Sequence, residues 1–153
     1  LGRKKEIYDG AMPSGNSIAI KNLLRLGRMT ANAKWEQMAD ESLKLFANSI
    51  EKAPTSFGAA LQSVDFLEGD TREIVISGTH NSETEQFTRP LYDRFLPRAV
   101  IIFHDSEDNR IRDLVPYLSD FGMKEGKPTA YVCQNYACEL PTNDPDKMME
   151  LLR

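Results

Sequence analysis

Glu73-Ile74-Val75-Ile76-Ser77-Gly78, Ala99-Val100-Ile101-Ile102-Phe103 and Thr129-Ala130-Tyr131-Val132-Cys133 are the stretches that decide the fold class. Each is a short, almost continuously apolar run rich in β-branched residues. Runs of this kind suit strands buried on both faces, as in a parallel sheet. Between the first two, residues 83–95 follow a helical pattern, with Ser82-x-x-Glu85 as a capping box. Between the second and third, residues 111–121 carry the stripe Leu114, Val115 and Leu118. The order β-α-β-α-β with right-handed crossovers predicts a three-stranded parallel sheet over residues 71–153. Asp144 is placed to cap a last helix over residues 145–152.

Working back towards the N-terminus, residues 1–70 read as helices. The segment Tyr8-Asp9-Gly10-Ala11-Met12-Pro13-Ser14-Gly15-Asn16 is a loop of turn formers. Ile20, Leu23, Leu24 and Gly27 then recur at i, i+3, i+4, i+7 and predict a helix over 17–29. A second helix over 33–52 places Trp35, Met38, Ala39, Phe46 and Ile50 on one side, as core. Pro54 suits the first turn of a third helix, in which Phe57, Ala60, Leu61, Val64 and Leu67 keep the period up to residue 68. The short connections predict antiparallel neighbours. The fold class is therefore α/β, helical hairpins in 1–70 followed by a small sheet subdomain in 71–153.

Composition narrows the partners. With 153 residues, 41% apolar and 27% charged, the chain can bury a core of its own. Nineteen basic against 23 acidic residues give a net charge of −4, which argues against a broad nucleic-acid face. No apolar run approaches the roughly 20 residues that span a bilayer, so no membrane partner is expected. Two cysteines are too few for a disulfide scaffold. The start at Leu1 and the end at Leu152-Arg153, inside a helical pattern, suggest a piece of a longer protein, with any targeting signal elsewhere and a cytoplasmic location.

Three stretches in this order resemble a known family: Tyr8 to Ser17, Ile74-Val75-Ile76-Ser77-Gly78, and Ala130-Tyr131-Val132-Cys133 followed by Ala137-Cys138-x-x-Pro141-x-x-Asp144-Pro145. They look like the C-terminal end of the thioredoxin-domain-containing proteins related to spermatogenesis-associated protein 20, a family of unsettled function. The resemblance implies an N-terminal thioredoxin-like domain and a six-hairpin glycosidase-like α/α toroid. Residues 1–70 would then be the end of that toroid, and the rest of the parent chain the main partner. It further implies a small, sugar-like ligand and a place in carbohydrate metabolism, by analogy of fold alone.

The Pro13-Ser14-Gly15-Asn16-Ser17 loop stands at a helix start, where exposed N–H groups and the helix dipole attract a carboxylate, phosphate or sugar hydroxyl. By resemblance, Asp9, Ser14 and Asn16 are the ligand-binding candidates, with Asp9 as acid, base or hydroxyl partner; plain capping is the competing reading. Cys133 and Cys138, five apart, read as a local disulfide, a redox pair or two unrelated thiols. Their spacing is longer than the Cys-x-x-Cys of thioredoxin chemistry, and two thiols make only half a metal site. His80, His104 with Asp105, and Cys133 all follow strand ends, so one shared crevice is a further expectation. Gly78-Thr79-His80-Asn81-Ser82 joins strand to helix but lacks the glycine patterns of nucleotide loops. The acidic Asp105, Glu107 and Asp108 suit a helix start, and Arg3-Lys4-Lys5 a solvated loop. No cofactor, metal or facing carboxylate pair is called for. The function this favours is a non-catalytic C-terminal fragment that completes a toroid; the alternative is a redox module built on Cys133 and Cys138.

Overall fold

The computed structural model describes residues 5–108 and 110–152; Arg3 and Lys4 of the basic stretch lie outside the described residues. The chain divides into two compact units, one made of residues up to Arg28 with Asn32–Gly69, the other of Met29–Ala31 with Asp70 onwards.

The first unit is helical. Helix α1 spans Gly15–Thr30, α2 spans Ala33–Lys52 and α3 spans Gly58–Glu68, with a 3-10 turn at Pro54–Ser56. Pro54 thus opens a tight turn, and the α-helix proper begins four residues later, at Gly58. Ile20, Leu24, Ala39, Leu43, Ile50, Ala60 and Phe66 form the buried set. Gly27 is needed for the turn into α2, because a Cβ there would lie 2.7 Å from Glu36 Cγ. Met38 departs from the expected core stripe. It is 45% exposed, and Leu43 takes the inward position instead.

The second unit holds a four-stranded sheet in the order β2-β1-β3-β4: β1 Arg72–Gly78, β2 Ala99–Asp105, β3 Thr129–Gln134 and β4 Ala137–Cys138. Strands β1 and β2 are parallel, joined by α4 at Ser82–Tyr92. The third run corrects the all-parallel expectation, since β3 runs antiparallel to β1, with Ile76 opposite Ala130 and Glu73 opposite Cys133. The cause lies in the connection. A parallel return needs a crossover of a dozen or more residues that carries the chain back along the sheet, usually as an α-helix. Pro116 breaks the expected 111–121 helix into α5, Arg110–Leu114, and a 3-10 stretch, Pro116–Asp120. Five helical residues rise only about 7.5 Å, so the chain enters β3 from the end at which it left β2.

Alternation along the strands builds a core on each face. Ile74, Ile76, Ala99, Ala130 and Val132 pack with Phe87 and Leu91 of α4 and with Met148 and Met149 of α6, Pro145–Glu150. Val75, Ile102 and Tyr131 pack with Val115 and Leu118. Asp144 caps α6 as expected, its carboxylate accepting from Asp146 N at 2.9 Å. Helix α4 is capped by Asn81 rather than Ser82, Asn81 Oδ1 accepting from Thr84 N at 2.9 Å.

Candidate functional site

In the first unit, Asp9, Ser14 and Asn16 come together. Ser14 is the cap of α1, its hydroxyl accepting from Ser17 N at 3.0 Å. Asn16 donates to the Glu6 carbonyl at 2.6 Å and holds the incoming chain. Asp9 reaches further. Its Oδ1 accepts from Ser14 N at 2.7 Å, and its Oδ2 from Ala59 N at 2.9 Å and Ala60 N at 3.1 Å. Helix α3 starts behind Phe57, whose side chain cannot cap it, and Asp9 supplies the acceptor from fifty positions upstream. Burial pushes the Asp9 carboxyl up. The bonds from Ser14, Ala60, Ser17 and Ala59 outweigh that push and hold it below the usual aspartate value. A carboxylate held ionised by three backbone donors is a helix cap and a poor proton donor at neutral pH. Beside it lies an open depression of about 780 Å³, lined by Tyr8, Met12, Ser14 and Asn16 among others.

Cys133 and Cys138 are joined in a disulfide across the β3–β4 hairpin, with Cα atoms 3.8 Å apart. The turn between them places Asn135 and Tyr136 at φ 51 and 65, as a two-residue hairpin of the primed kind requires. Cys133 is buried and Cys138 exposed. Buried Glu73 lies opposite Cys133, and its Oε2 accepts from Tyr136 N at 3.3 Å. A ring this short constrains the unfolded chain by about 2 kcal/mol. Replacing both cysteines with alanine is therefore expected to leave a folded protein melting only a few degrees lower. Calorimetry decides this, and a double variant that is unfolded at room temperature contradicts it.

The histidines do not share a crevice with Cys133. Strand β3 is antiparallel, so Cys133 sits beside Glu73 at the start of β1, whereas His104 pairs with Ser77 at its end, about 13 Å away. The histidines also part from each other. His80 is exposed, packs on Phe103 with ring centroids 4.9 Å apart and meets Asp105 Oδ2 at 3.3 Å. His104, one residue on from Phe103, is 1% exposed and belongs to the opposite face. Its Nε2 accepts from Arg112 Nε at 2.9 Å, which leaves Nδ1 to carry the proton and donate to the Phe121 carbonyl at 2.8 Å. The Ser77 hydroxyl also donates to that carbonyl. Arg112 stands where a Ser-His-Asp triad has its carboxylate, so this cluster ties α5 to the sheet and is not a nucleophile in waiting. Sequence reading overlooked Ser77 and Arg112, although a polar pair at the ends of two apolar strands was a usable signal.

Of the acidic residues at the end of β2 and just beyond it, Asp105 accepts from Glu107 N at 3.0 Å and Asp108 from Arg110 N at 2.9 Å. The Arg110 guanidinium bonded to Asp108 holds that carboxyl down at about 2. Burial pushes the Tyr117 phenol up to about 12, and its hydroxyl donates to the Met29 carbonyl at 2.9 Å. A polar groove of about 1130 Å³ between α4 and α6 is lined by side chains of both signs, including Arg89, Arg94, Asp146 and Glu150. Among the described residues, no cluster of three His, Cys, Asp or Glu side chains is placed to hold a metal, and no helix is long and apolar enough to cross a membrane.

The molecule is thus a mixed α/β chain whose conspicuous polar residues serve as caps and clamps. It is homologous over nearly its whole length to spermatogenesis-associated protein 20. The human protein is 30% identical over 152 residues, which cover 98% of this chain and 19% of that protein. The rat protein is 28% identical over the same length, and an uncharacterized protein of Caenorhabditis elegans is 26% identical over 151 residues. The chain spans about one fifth of the length of these curated relatives. No family model and no solved structure matches it.

Proposed function

We propose that this chain is the non-catalytic C-terminal part of a longer protein, completing a helical toroid whose cavity takes a carbohydrate-like ligand. In this reading the Tyr8–Ser17 loop forms one wall of that cavity. The observation that carries it is the state of the candidate side chains. Asp9, Ser14 and Asn16 are all engaged with the backbone, and the depression beside them is open and incomplete. Homology along 98% of the chain but only 19% of the human relative supports the same view. Positioning of reacting groups supplies up to roughly 7–11 kcal/mol of barrier lowering, and one loop cannot provide it alone. The isolated chain is therefore expected to show no hydrolase or epimerase turnover on common sugars. Turnover that disappears with Asp9→Asn overturns the reading.

A redox module is the second reading, favoured by the exposed Cys138 bonded to a buried Cys133. A thiolate would attack Sγ of Cys138 and release Cys133, and a second thiol would resolve the mixed disulfide. A bridge that stays closed in buffers poised near the thioredoxin potential, about −270 mV, eliminates this reading.

A further inference from the structure

We propose that β2 is an open sheet edge through which two copies of this chain join, β2 against β2, antiparallel and about a two-fold axis. In the order β2-β1-β3-β4 the two outer strands differ in kind. Strand β4 has two residues and is held by the disulfide. Strand β2 has seven, paired among the described residues to β1 alone. The Arg98 carbonyl accepts from Arg72 N, and Ser106 N donates to the Gly78 carbonyl, so the even-numbered residues from 98 to 106 turn their backbone groups towards β1. Ile101 and Phe103 therefore turn theirs outward, where no backbone partner meets them among the described residues.

The devices that usually guard an edge are missing from this strand. Ala99 to His104 holds no Lys, Arg, Asp, Glu or Pro, and its register with β1 runs without a bulge. The charges stand at the ends instead: Arg94 and Arg98 before the strand, Asp105, Glu107 and Asp108 at its end and beyond. A parallel neighbour would set like charges side by side. An antiparallel copy sets each basic end against an acidic one, twice, and this complementarity selects a second copy as the occupant. The outward residues 99, 101, 103 and 105 are also symmetric about Ile102, so Ile101 would exchange both backbone bonds with Phe103 of the second copy, and Phe103 with its Ile101. Residues opposite each other share a face. Beside Phe103 lies a cavity of about 260 Å³, lined by Tyr92 and by polar side chains such as Thr88 and Glu85, with room for that isoleucine. Helix α4 packs on β1, one strand in from the joint. Growth stops at two copies, because β4 is too short to continue the sheet.

Sedimentation of this chain between about 5 and 500 µM is expected to show the mass rising from 17.3 kDa towards twice that value. Ile101→Pro removes an outward N–H and no bond to β1, so the variant should stay folded and dimerise at least about tenfold more weakly. Charge reversal provides an arm that leaves the strand itself intact and decides the matter even where the proline variant fails to fold. Arg98→Glu and Glu107→Lys should each weaken the dimer, and mixing the two variants should restore it, because each then faces the other's new charge. A chain that is still monomeric at about 500 µM overturns the proposal. So does a dimer that a folded Ile101→Pro variant leaves intact, and so does a mixture that associates no better than its separate variants.

Discussion

Gly78→Val is expected to destabilise the sheet unit by about 3 kcal/mol and to lower its melting temperature by roughly 10 °C. Gly78 ends β1, and the chain turns there into the cap of α4. A Cβ at this position would overlap Thr84 Oγ1 and stand 3.0 Å from Thr84 Cγ2. Thr84 cannot step aside. It is 3% exposed, its N–H is bonded to Asn81, and rotating χ1 exchanges one branch for the other. The glycine therefore answers a need for space, and its conformational freedom is not the issue. A cycle with Thr84→Ala isolates the contact. The Thr84 hydroxyl has no hydrogen-bond partner among the described residues, so removing it sacrifices no bond, and Gly78→Ala should cost about 1 kcal/mol less in that background. Equal costs in both backgrounds would show that the clash is not what requires glycine.

That contact also marks where sequence reading reached its limit. The β1 and β2 runs were legible because both faces of each strand are apolar, and the helical stripe between them gives a parallel pair. The direction of β3 was not legible from its own composition, since a strand buried on both faces reads alike either way. The signal lay in Pro116, which breaks the helix the crossover needed. The turn at Asn135 and Tyr136 follows once Cys133 and Cys138 are bridged, because an extended chain would keep them about 16–18 Å apart, but the spacing alone left the bridge open. The burial of Glu73 could not be foreseen, because it depends on a hairpin about 60 residues away folding over it. The histidines failed on parity. Neighbours on a strand point to opposite faces, and the Phe103–His104 step alone separates the surface that His80 touches from the buried face. At the loop, the residues singled out for ligand binding are those best suited to capping, because the same acceptors serve both tasks. What was hidden was Asp9's partner, the uncapped start of α3.

Asp9→Asn is expected to lower stability at pH 7 by about 2–3 kcal/mol, a fall of several degrees in melting temperature. Among the described residues the carboxylate faces backbone donors on both sides: Ser14 N on one oxygen, Ala59 N and Ala60 N on the other. A carboxamide turned either way points its NH2 at one of these groups, leaving a part-buried backbone N–H without an acceptor, and the charge at the start of α3 is lost as well. The loss should depend on pH with a definite sign. Asp9 titrates lower in the folded chain than in the unfolded one, so its contribution is fully present above the ordinary aspartate value of about 3.9. It disappears as pH falls through the depressed folded value. The stability gap between the parent chain and the Asp9→Asn variant should thus stay constant from pH 7 down to about pH 5, then narrow as the solution is acidified through the carboxyl range. Denaturant unfolding at several pH values measures the gap directly. A gap that persists undiminished well below the carboxyl range would mean that the ionised carboxylate is not what holds α3, and the assignment of Asp9 as its cap would fall.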